Sequence, residues 1–161
     1  MSENEAIDVL LVEDNPDDAE FTLRALRKAN VAVRVAHAED GVQALEFMFA
    51  SGRWSDRPPF PPRVVLLDLK LPRVDGREVL RRIKSDSRTR AVPVVVLTSS
   101  REPSDVHRSY ELGANSYVVK PVEYAELIAK LSDIVRYWLQ LNVPAVSTQQ
   151  SAFSNSEADL R

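Results

Sequence analysis

The residues best suited to chemistry stand directly after apolar runs of the sequence. They are three carboxylates, two hydroxyls and one ammonium group, at Glu13, Asp14, Asp68, Thr98, Ser99 and Lys120. Carboxylates held close together repel one another, so a cluster of this kind requires a cation. The chain has no cysteine and two histidines, which leaves oxygen ligands and favours Mg²⁺ as the metal. A carboxylate nucleophile, a metal and fixed positive charge are the groups that phosphoryl transfer requires.

Five apolar runs alternate with helical patterns along the chain of 161 residues. The apolar runs predict strands over residues 7–12, 31–37, 64–67, 92–97 and 116–119. The helical patterns predict helices near residues 16–30, 44–49, 76–85, 104–112 and 123–141. Wholly apolar strands separated by helices form parallel sheets with both faces covered. The predicted fold class is therefore α/β, a three-layer α/β/α (βα)5 arrangement with a five-stranded parallel sheet. Ligands of such sheets bind beyond the carboxyl ends of the strands, which is where the six residues stand.

Turn and loop signals complete the prediction of the domain. Asp75 and Glu78 predict a capping box for the third helix, and Gly113 predicts a left-handed end to the fourth. Residues 51–63 contain four prolines and predict an irregular loop. We expect its Trp54 and Phe60 to pack back on the domain, with a partner contact as the alternative.

The composition predicts one domain between two terminal segments. We expect an N-terminal extension over residues 1–5, the domain over residues 6–141 and a mobile tail over residues 142–161, which is rich in serine, glutamine and asparagine. About 20 residues follow the last predicted helix, so we expect no attached DNA-binding domain.

Charge and hydropathy argue against several classes of partner. The net charge is −3 and the pI is near 5.5, so neither nucleic acid nor an anionic membrane is indicated as the main partner. No apolar run reaches the roughly 18–20 residues that span a bilayer, and the acidic N-terminus differs from a signal peptide, which favours the cytoplasm. Residues 70–90 hold eight basic and three acidic side chains. We interpret this local charge as a solvated helix face, with contact to an acidic kinase surface or to nucleic acid as alternatives.

The motifs at the strand ends resemble those of a known family. They are Val12-Glu13-Asp14, Leu66-Leu67-Asp68, Leu71-Pro72-x-x-Asp75-Gly76, Leu97-Thr98-Ser99 and Tyr117-x-x-Lys120-Pro121. The spacings of 30 residues from Asp68 to Thr98 and of 52 residues from Asp68 to Lys120 also agree with the spacing of these motifs in that family. As a set they resemble the receiver domain of response regulators of the CheY kind, with its flavodoxin-like fold, over roughly residues 6–141.

The resemblance implies an acceptor and a metal site. Asp68 would accept a phosphoryl group from a phosphohistidine on a sensor histidine kinase. Asp14, Asp68 and the backbone carbonyl of Lys70 would bind Mg²⁺, and Glu13 would act on the metal largely through water.

The resemblance also implies how the phosphoryl group is held and sensed. Thr98, Lys120 and the backbone N–H of Ser99 would hold the phosphoryl oxygens. Tyr117 would be the switch aromatic, turning inward as Thr98 moves toward the phosphate. The Lys120–Pro121 peptide bond would be cis.

A narrower resemblance is to the small response regulators that partner bacterial phytochromes. It rests on the proline-rich insertion, on the segments 76–80 and 110–115, and on the aromatic end of the last helix. It implies a phytochrome as the histidine kinase partner. We also expect a homodimer through the fourth helix, the fifth strand and the last helix. Its interface residues would be Tyr110, Tyr124, Tyr137, Trp138 and Leu139, and the alternative is that these residues pack against the sheet.

Other functions stay open as alternatives. The chain could pass phosphate onward or act as a phosphate sink without a dedicated output. A magnesium phosphatase with an aspartyl nucleophile typically carries a second aspartate two residues later, where this chain has Lys70. A flavodoxin-like nucleotide or flavin binder requires a glycine-rich phosphate loop after the first strand, where Glu13 and Asp14 would repel phosphate. We therefore expect a signalling protein rather than an enzyme.

Overall fold

The computed structural model describes residues 6–30, 32–58 and 60–145. Its strands are β1 (Val9–Val12), β2 (Val35–Ala38), β3 (Val64–Leu67), β4 (Val94–Thr98) and β5 (Ser116–Val119). Its α-helices are α1 (Pro16–Ala29), α2 (Gly41–Met48), α3 (Gly76–Ser85), α4 (Pro103–Glu111) and α5 (Tyr124–Val135). None of the helices in these ranges is long and apolar enough to cross a membrane. The expected extension over residues 1–5 and the tail from residue 146 onward lie outside the described residues.

The five strands form one parallel sheet in the order β2-β1-β3-β4-β5. Successive side chains of β1 point to opposite faces, as the geometry of a strand requires. Leu10 and Val12 join the core cluster under α2 and α3, whereas Val9 and Leu11 join the cluster under α1 and α5. The predicted three-layer α/β/α fold is confirmed.

The cap of α3 differs in part from the predicted capping box. The carboxylate of Asp75 accepts a hydrogen bond from the N–H of Arg77 at 2.9 Å, so the predicted cap is present. Glu78 does not complete the box. Its carboxylate binds Arg81 at 2.6 Å and Arg82 at 3.0 Å, because guanidinium groups one turn further along the helix are stronger partners.

Two elements differ from their predicted bounds. β2 begins at Val35 instead of residue 31, because the chain makes a turn at Asn30. The Asn30 side chain accepts a hydrogen bond from the N–H of Ala32 at 3.0 Å, and the Asn30 carbonyl accepts one from the N–H of Val33 at 3.1 Å. The last helix is α-helical only to Val135 and continues as a π-helix over Arg136–Leu141.

Helix α4 has the weakest apolar anchorage of the five α-helices. Its single fully buried residue is the polar Ser109, whereas each of the other four helices buries apolar side chains. Gly113 follows it with a φ of +102°, which confirms the predicted left-handed end. Polar contacts must therefore supply much of what holds α4 in place.

One guanidinium group holds the proline-rich loop. Arg57 donates hydrogen bonds to four backbone carbonyls, those of Phe47 at 2.5 Å, Met48 at 3.1 Å, Pro58 at 2.7 Å and Phe60 at 2.9 Å. Two of these carbonyls, those of Phe47 and Met48, lie in the last turn of α2, where carbonyls lack the N–H partners of the helix interior. Burial lowers the pKa of Arg57 below its ordinary value. Trp54, in a short 3₁₀ helix (Gly52–Trp54), packs edge-on against Phe47 with ring centroids 5.5 Å apart, so its expected packing on the domain is confirmed.

Candidate functional site at the carboxyl edge of the sheet

The sheet brings four of the predicted residues to one edge. Glu13 follows β1, Asp68 follows β3, Thr98 ends β4 and Lys120 follows β5. These four strands are consecutive neighbours in the sheet. Backbone hydrogen bonds extend the ladder past the strand ends, from Asp68 N–H to the carbonyl of Val12 at 3.1 Å and from Lys120 N–H to that of Thr98 at 2.7 Å.

Three carboxylates form the centre of the site. Glu13, Asp14 and Asp68 each place one oxygen within 4.8 Å of the others. Glu13 is 2% exposed and Asp68 is 9% exposed, whereas Asp14 faces solvent. Oxygen is the only ligand type the cluster offers, and three like charges at this distance are stabilised by a divalent cation. The donor set therefore fits Mg²⁺ or a similar hard cation.

Lys120 supplies the positive charge of the site. Its Nζ lies 2.7 Å from Glu13 Oε2, 3.3 Å from Asp68 Oδ2 and 3.5 Å from Asp18 Oδ2. Burial alone would lower the pKa of Lys120, but the hydrogen bond to Glu13 and the nearby carboxylate charges outweigh it and hold the pKa above its ordinary value. Lys120 is therefore an ammonium group at neutral pH.

The pKa of Glu13 is raised to about 7. Burial is the main cause, and the hydrogen bond with Asp68 raises it further, against the opposing effect of Lys120. A bound cation would oppose this rise, because a positive charge favours the ionised carboxylate.

The remaining predicted residues of the site lie around this centre. Thr98 is 1% exposed, and its Oγ1 accepts from the N–H of Ser100 at 3.5 Å. Ser99 is exposed and lines a groove of about 380 Å³ together with Lys120. The N–H of Lys70 donates to Asp68 Oδ1 at 3.4 Å, so the backbone of Lys70 turns close to the Asp68 carboxylate.

Helix α3 begins against the backbone of Asp68. The N–H of Gly76 donates to the carbonyl of Leu69 at 2.9 Å. A Cβ atom at Gly76 would lie 2.2 Å from the carbonyl oxygen of Asp68 and 2.7 Å from Cα of Leu69. Glycine is needed here because the two backbones approach this closely.

Tyr117 is half-buried and packs against the cluster under α2 and α3. Its hydroxyl donates to the carbonyl of Ser100 at 3.0 Å. The predicted switch aromatic therefore contacts the loop that follows Thr98.

The predicted cis bond between Lys120 and Pro121 is wrong. No peptide bond among the described residues is cis. The trans form is the more stable one even before proline, by about 0.5–1 kcal/mol, so the residue pair alone does not impose a cis bond.

The five predicted interface residues do not share one environment. Tyr110 and Tyr137 are about half exposed, at 50% and 49%. Tyr124 packs against Phe21 of α1 with ring centroids 5.8 Å apart. Trp138 and Leu139 are partly buried against the cluster under α1 and α5.

The structure adds two residues to the site that the sequence did not single out. Asp18 reaches Lys120 from the first turn of α1, and no spacing in the sequence marks this contact because it joins two separate elements. His37 of β2 donates from Nε2 to the carbonyl of Glu13 at 2.8 Å. No motif marks His37, because its role depends on the pairing of β2 with β1.

The fold and site are those of a receiver domain. Residues 9–132 match the model of the response regulator receiver domain, and the chain belongs to that family. The resemblance drawn from the strand-end motifs is confirmed.

Two curated relatives match most of the chain. The chain is 42% identical over 137 residues to the probable methanogenesis regulatory protein FilR2 of Methanothrix harundinacea (strain 6Ac), covering 83% of this chain and 84% of that protein. It is 36% identical over 138 residues to the response regulator Rcp1 of Synechocystis sp. (strain ATCC 27184 / PCC 6803 / Kazusa), covering 85% of this chain and 92% of that protein.

Solved structures give the same picture. The phosphorylated cyanobacterial phytochrome response regulator RcpA superposes with a TM-score of 0.81 at 34% identity, covering 88% of this chain and 100% of that one. The Mn²⁺-bound form of Rcp1 superposes with a TM-score of 0.79 at 34% identity, again covering 88% of this chain and 100% of that one. The bacteriophytochrome response regulator AtBRR superposes with a TM-score of 0.70 at 50% identity, covering 86% of this chain and 99% of that one.

Proposed function

We propose that this protein is a single-domain response regulator that accepts a phosphoryl group on Asp68 from a sensor histidine kinase. The observation that carries the proposal is the contact set of Asp68. Its carboxylate lies within 4.8 Å of the oxygens of Glu13 and Asp14 and 3.3 Å from the ammonium of Lys120. A buried carboxylate that lies beside both a candidate cation site and a fixed positive charge is arranged for phosphoryl transfer.

The proposed reaction forms one bond and breaks one. An oxygen of Asp68 donates a lone pair to the phosphorus of a phosphohistidine, and the N–P bond breaks with its electron pair returning to the imidazole nitrogen. The products are an aspartyl phosphate and a free histidine. Lys120, the hydroxyl of Thr98 and the N–H of Ser99 hold the negative charge that spreads over the phosphoryl oxygens.

Mg²⁺ is the proposed cofactor, held by Asp14, Asp68 and the backbone carbonyl of Lys70, with Glu13 acting through water. When bound, it would neutralise the carboxylates and polarise the phosphoryl group. The carboxylate set supports this assignment, and the Mn²⁺-bound form of Rcp1 shows that a relative takes up a divalent cation.

Transfer from an autophosphorylated, radiolabelled histidine kinase tests the proposal. We expect the native chain to gain label in Mg²⁺ and to gain none in EDTA. Asp68→Asn should remain at background, because an amide cannot act as the nucleophile. Asp86→Asn is the matched control and should accept label like the native chain, since the Asp86 side chain contacts only Arg88 among the described contacts. Label on Asp68→Asn equal to that on the native chain would place the acceptor elsewhere.

A phytochrome is the kinase partner within this proposal. The support is the bacteriophytochrome regulator AtBRR at 50% identity and the phytochrome regulator RcpA at 34%. The kinase draws its phosphate from ATP, so the cytoplasm is the proposed compartment.

Nucleic acid is not a proposed partner, because five of the eight basic side chains in segment 70–90 pair with carboxylates in the described part of the chain. Arg81 and Arg82 bind Glu78, Arg88 binds Asp86 at 2.9 Å, and Arg73 lies 3.5 Å from Asp40. These contacts support the interpretation of the segment as a solvated surface.

The second part of the proposal is a homodimer through α4, β5 and α5, with phosphorylation changing this surface. Tyr110 of α4 is exposed, and Tyr137, Leu141 and Val143 are exposed in and just after the π-helix that continues α5. We expect light scattering to give the mass of two chains once a phosphoryl analogue is bound. A monomer with and without the analogue would remove the dimer from the proposal.

A further inference from the structure

Three side chains connect α3, α4 and the loop that follows Thr98. Asp105, in the first turn of α4, accepts hydrogen bonds from Arg77 of α3 and, at 2.5 Å, from the hydroxyl of Ser100. The side chain of Asp105 is 18% exposed and that of Arg77 is 36% exposed. We call Arg77, Asp105 and Ser100 the α3–α4 latch.

Ser100 is the residue through which the latch reaches the site. Its N–H donates to Thr98 Oγ1 at 3.5 Å, and its carbonyl accepts from the Tyr117 hydroxyl at 3.0 Å. Its own hydroxyl donates to Asp105 and accepts from the N–H of Glu102 at 3.3 Å. Every polar group of Ser100 therefore has a partner in this arrangement, and moving the loop would break several hydrogen bonds at once.

The weak apolar anchorage of α4 makes the latch important. A helix with few buried apolar contacts moves at low cost in free energy, so its position is set by its polar contacts. A partly buried ion pair contributes more to stability than an exposed one, and the pair of Arg77 and Asp105 is partly buried. The hydrogen bonds from Ser100 and Arg77 also keep the pKa of Asp105 below its ordinary value, so the carboxylate is ionised at neutral pH.

We infer that Asp105 is a positioning residue: with Arg77 it fixes Ser100, and so holds Thr98, Ser99 and the half-buried Tyr117 in the arrangement that receives the phosphoryl group. The inference rests on the proposed function. Thr98 Oγ1 is the acceptor in its contact with Ser100, so this hydrogen bond does not use the hydroxyl proton that would be donated to a phosphoryl oxygen. Groups held in place beforehand need less ordering on binding, so the latch raises the affinity of the site for a phosphoryl group.

Binding of beryllofluoride, a phosphoryl analogue, in the presence of Mg²⁺ tests the inference. We expect Asp105→Ala and Arg77→Met each to bind it roughly 5- to 50-fold more weakly than the native chain, the range of ordinary coupling between sites. The double variant should be no worse than either single one, because both break the same link. Asp105→Asn keeps an acceptor for Ser100 and should lie between the native chain and Asp105→Ala.

Fluorine NMR of fluorotyrosine-labelled protein provides a readout that a loss of stability alone would not move. The resonance of Tyr117, assigned with Tyr117→Phe, should shift in folded Asp105→Ala before any ligand is added. Glu111→Gln is the matched control on α4, since Glu111 contacts only His107 and Arg108 of its own helix in the described contacts, and it should leave both readouts unchanged.

The outcomes separate this inference from the proposed function. If the native chain fails to bind beryllofluoride, the proposed function fails with it. If the native chain binds and Asp105→Ala binds equally or more tightly, with an unshifted Tyr117 resonance, the latch has no positioning role.

Discussion

Replacing Lys120 by methionine should slow phosphoryl transfer to Asp68 by about 100- to 1,000-fold, the usual cost of removing one charged donor from a reacting oxyanion. The ammonium lies 3.3 Å from Asp68 Oδ2 and is largely buried, so water cannot replace its charge well. Methionine keeps the length and the apolar stem of lysine. The rate is measured by quenching transfer from a phosphorylated histidine kinase at successive times.

A second measurement on the same variant separates loss of chemistry from loss of the site. Without Lys120 the three carboxylates carry more uncompensated negative charge, so Mn²⁺, followed by its paramagnetic resonance, should bind at least as tightly as to the native chain. Lys130→Met is the matched control, because Lys130 Nζ donates only to the carbonyl of Val119 among the described contacts. Transfer at the native rate in Lys120→Met would contradict the role given to its charge.

Arg57→Met should lower the free energy of unfolding by about 2 to 4 kcal/mol, because it leaves four carbonyls without their charged donor. Arg57→Lys should lower the free energy of unfolding by less. An ammonium group can donate to some of the four carbonyls, but it lacks the planar arrangement of N–H donors that arginine has. Urea denaturation, with its linear dependence on denaturant, gives the values.

Arg53→Met is the control for Arg57. Arg53 lies in the same loop and stacks on Trp54, with its guanidinium carbon 5.4 Å from the ring centroid, but it is exposed. We expect its effect to stay below about 1 kcal/mol, as is usual for an exposed contact of this kind. An effect of Arg57→Met as small as that of Arg53→Met would show that the carbonyl contacts of Arg57 add little to the stability of the domain.

The strands and the centre of the site could be predicted from the sequence because both depend on local patterns. An apolar run that ends in a carboxylate specifies a buried strand and a polar group at its end. Parallel pairing then brings the strand ends together, so Glu13, Asp68 and Lys120 lie in contact as expected, and Thr98 ends the strand between β3 and β5.

The contacts that could not be predicted depend on partners that leave no pattern. Arg57 binds backbone carbonyls, which every residue carries, so its sequence position gives no indication of its role. Asp105 and Arg77 lie 28 residues apart on helices whose relative placement is set by the sheet. The isomer of the Lys120–Pro121 bond depends on small differences in free energy that tertiary contacts decide.

Gly76 gives Asp68 a neighbouring position that admits no side chain. The first residue of α3 and the peptide of Asp68 share a space too narrow for a methyl group. A single added carbon at position 76 would displace either the start of α3 or the backbone of Asp68, so even the smallest change of side chain would disturb the geometry of the site. The tolerance of the chain at this position is thus decided by steric room and not by charge.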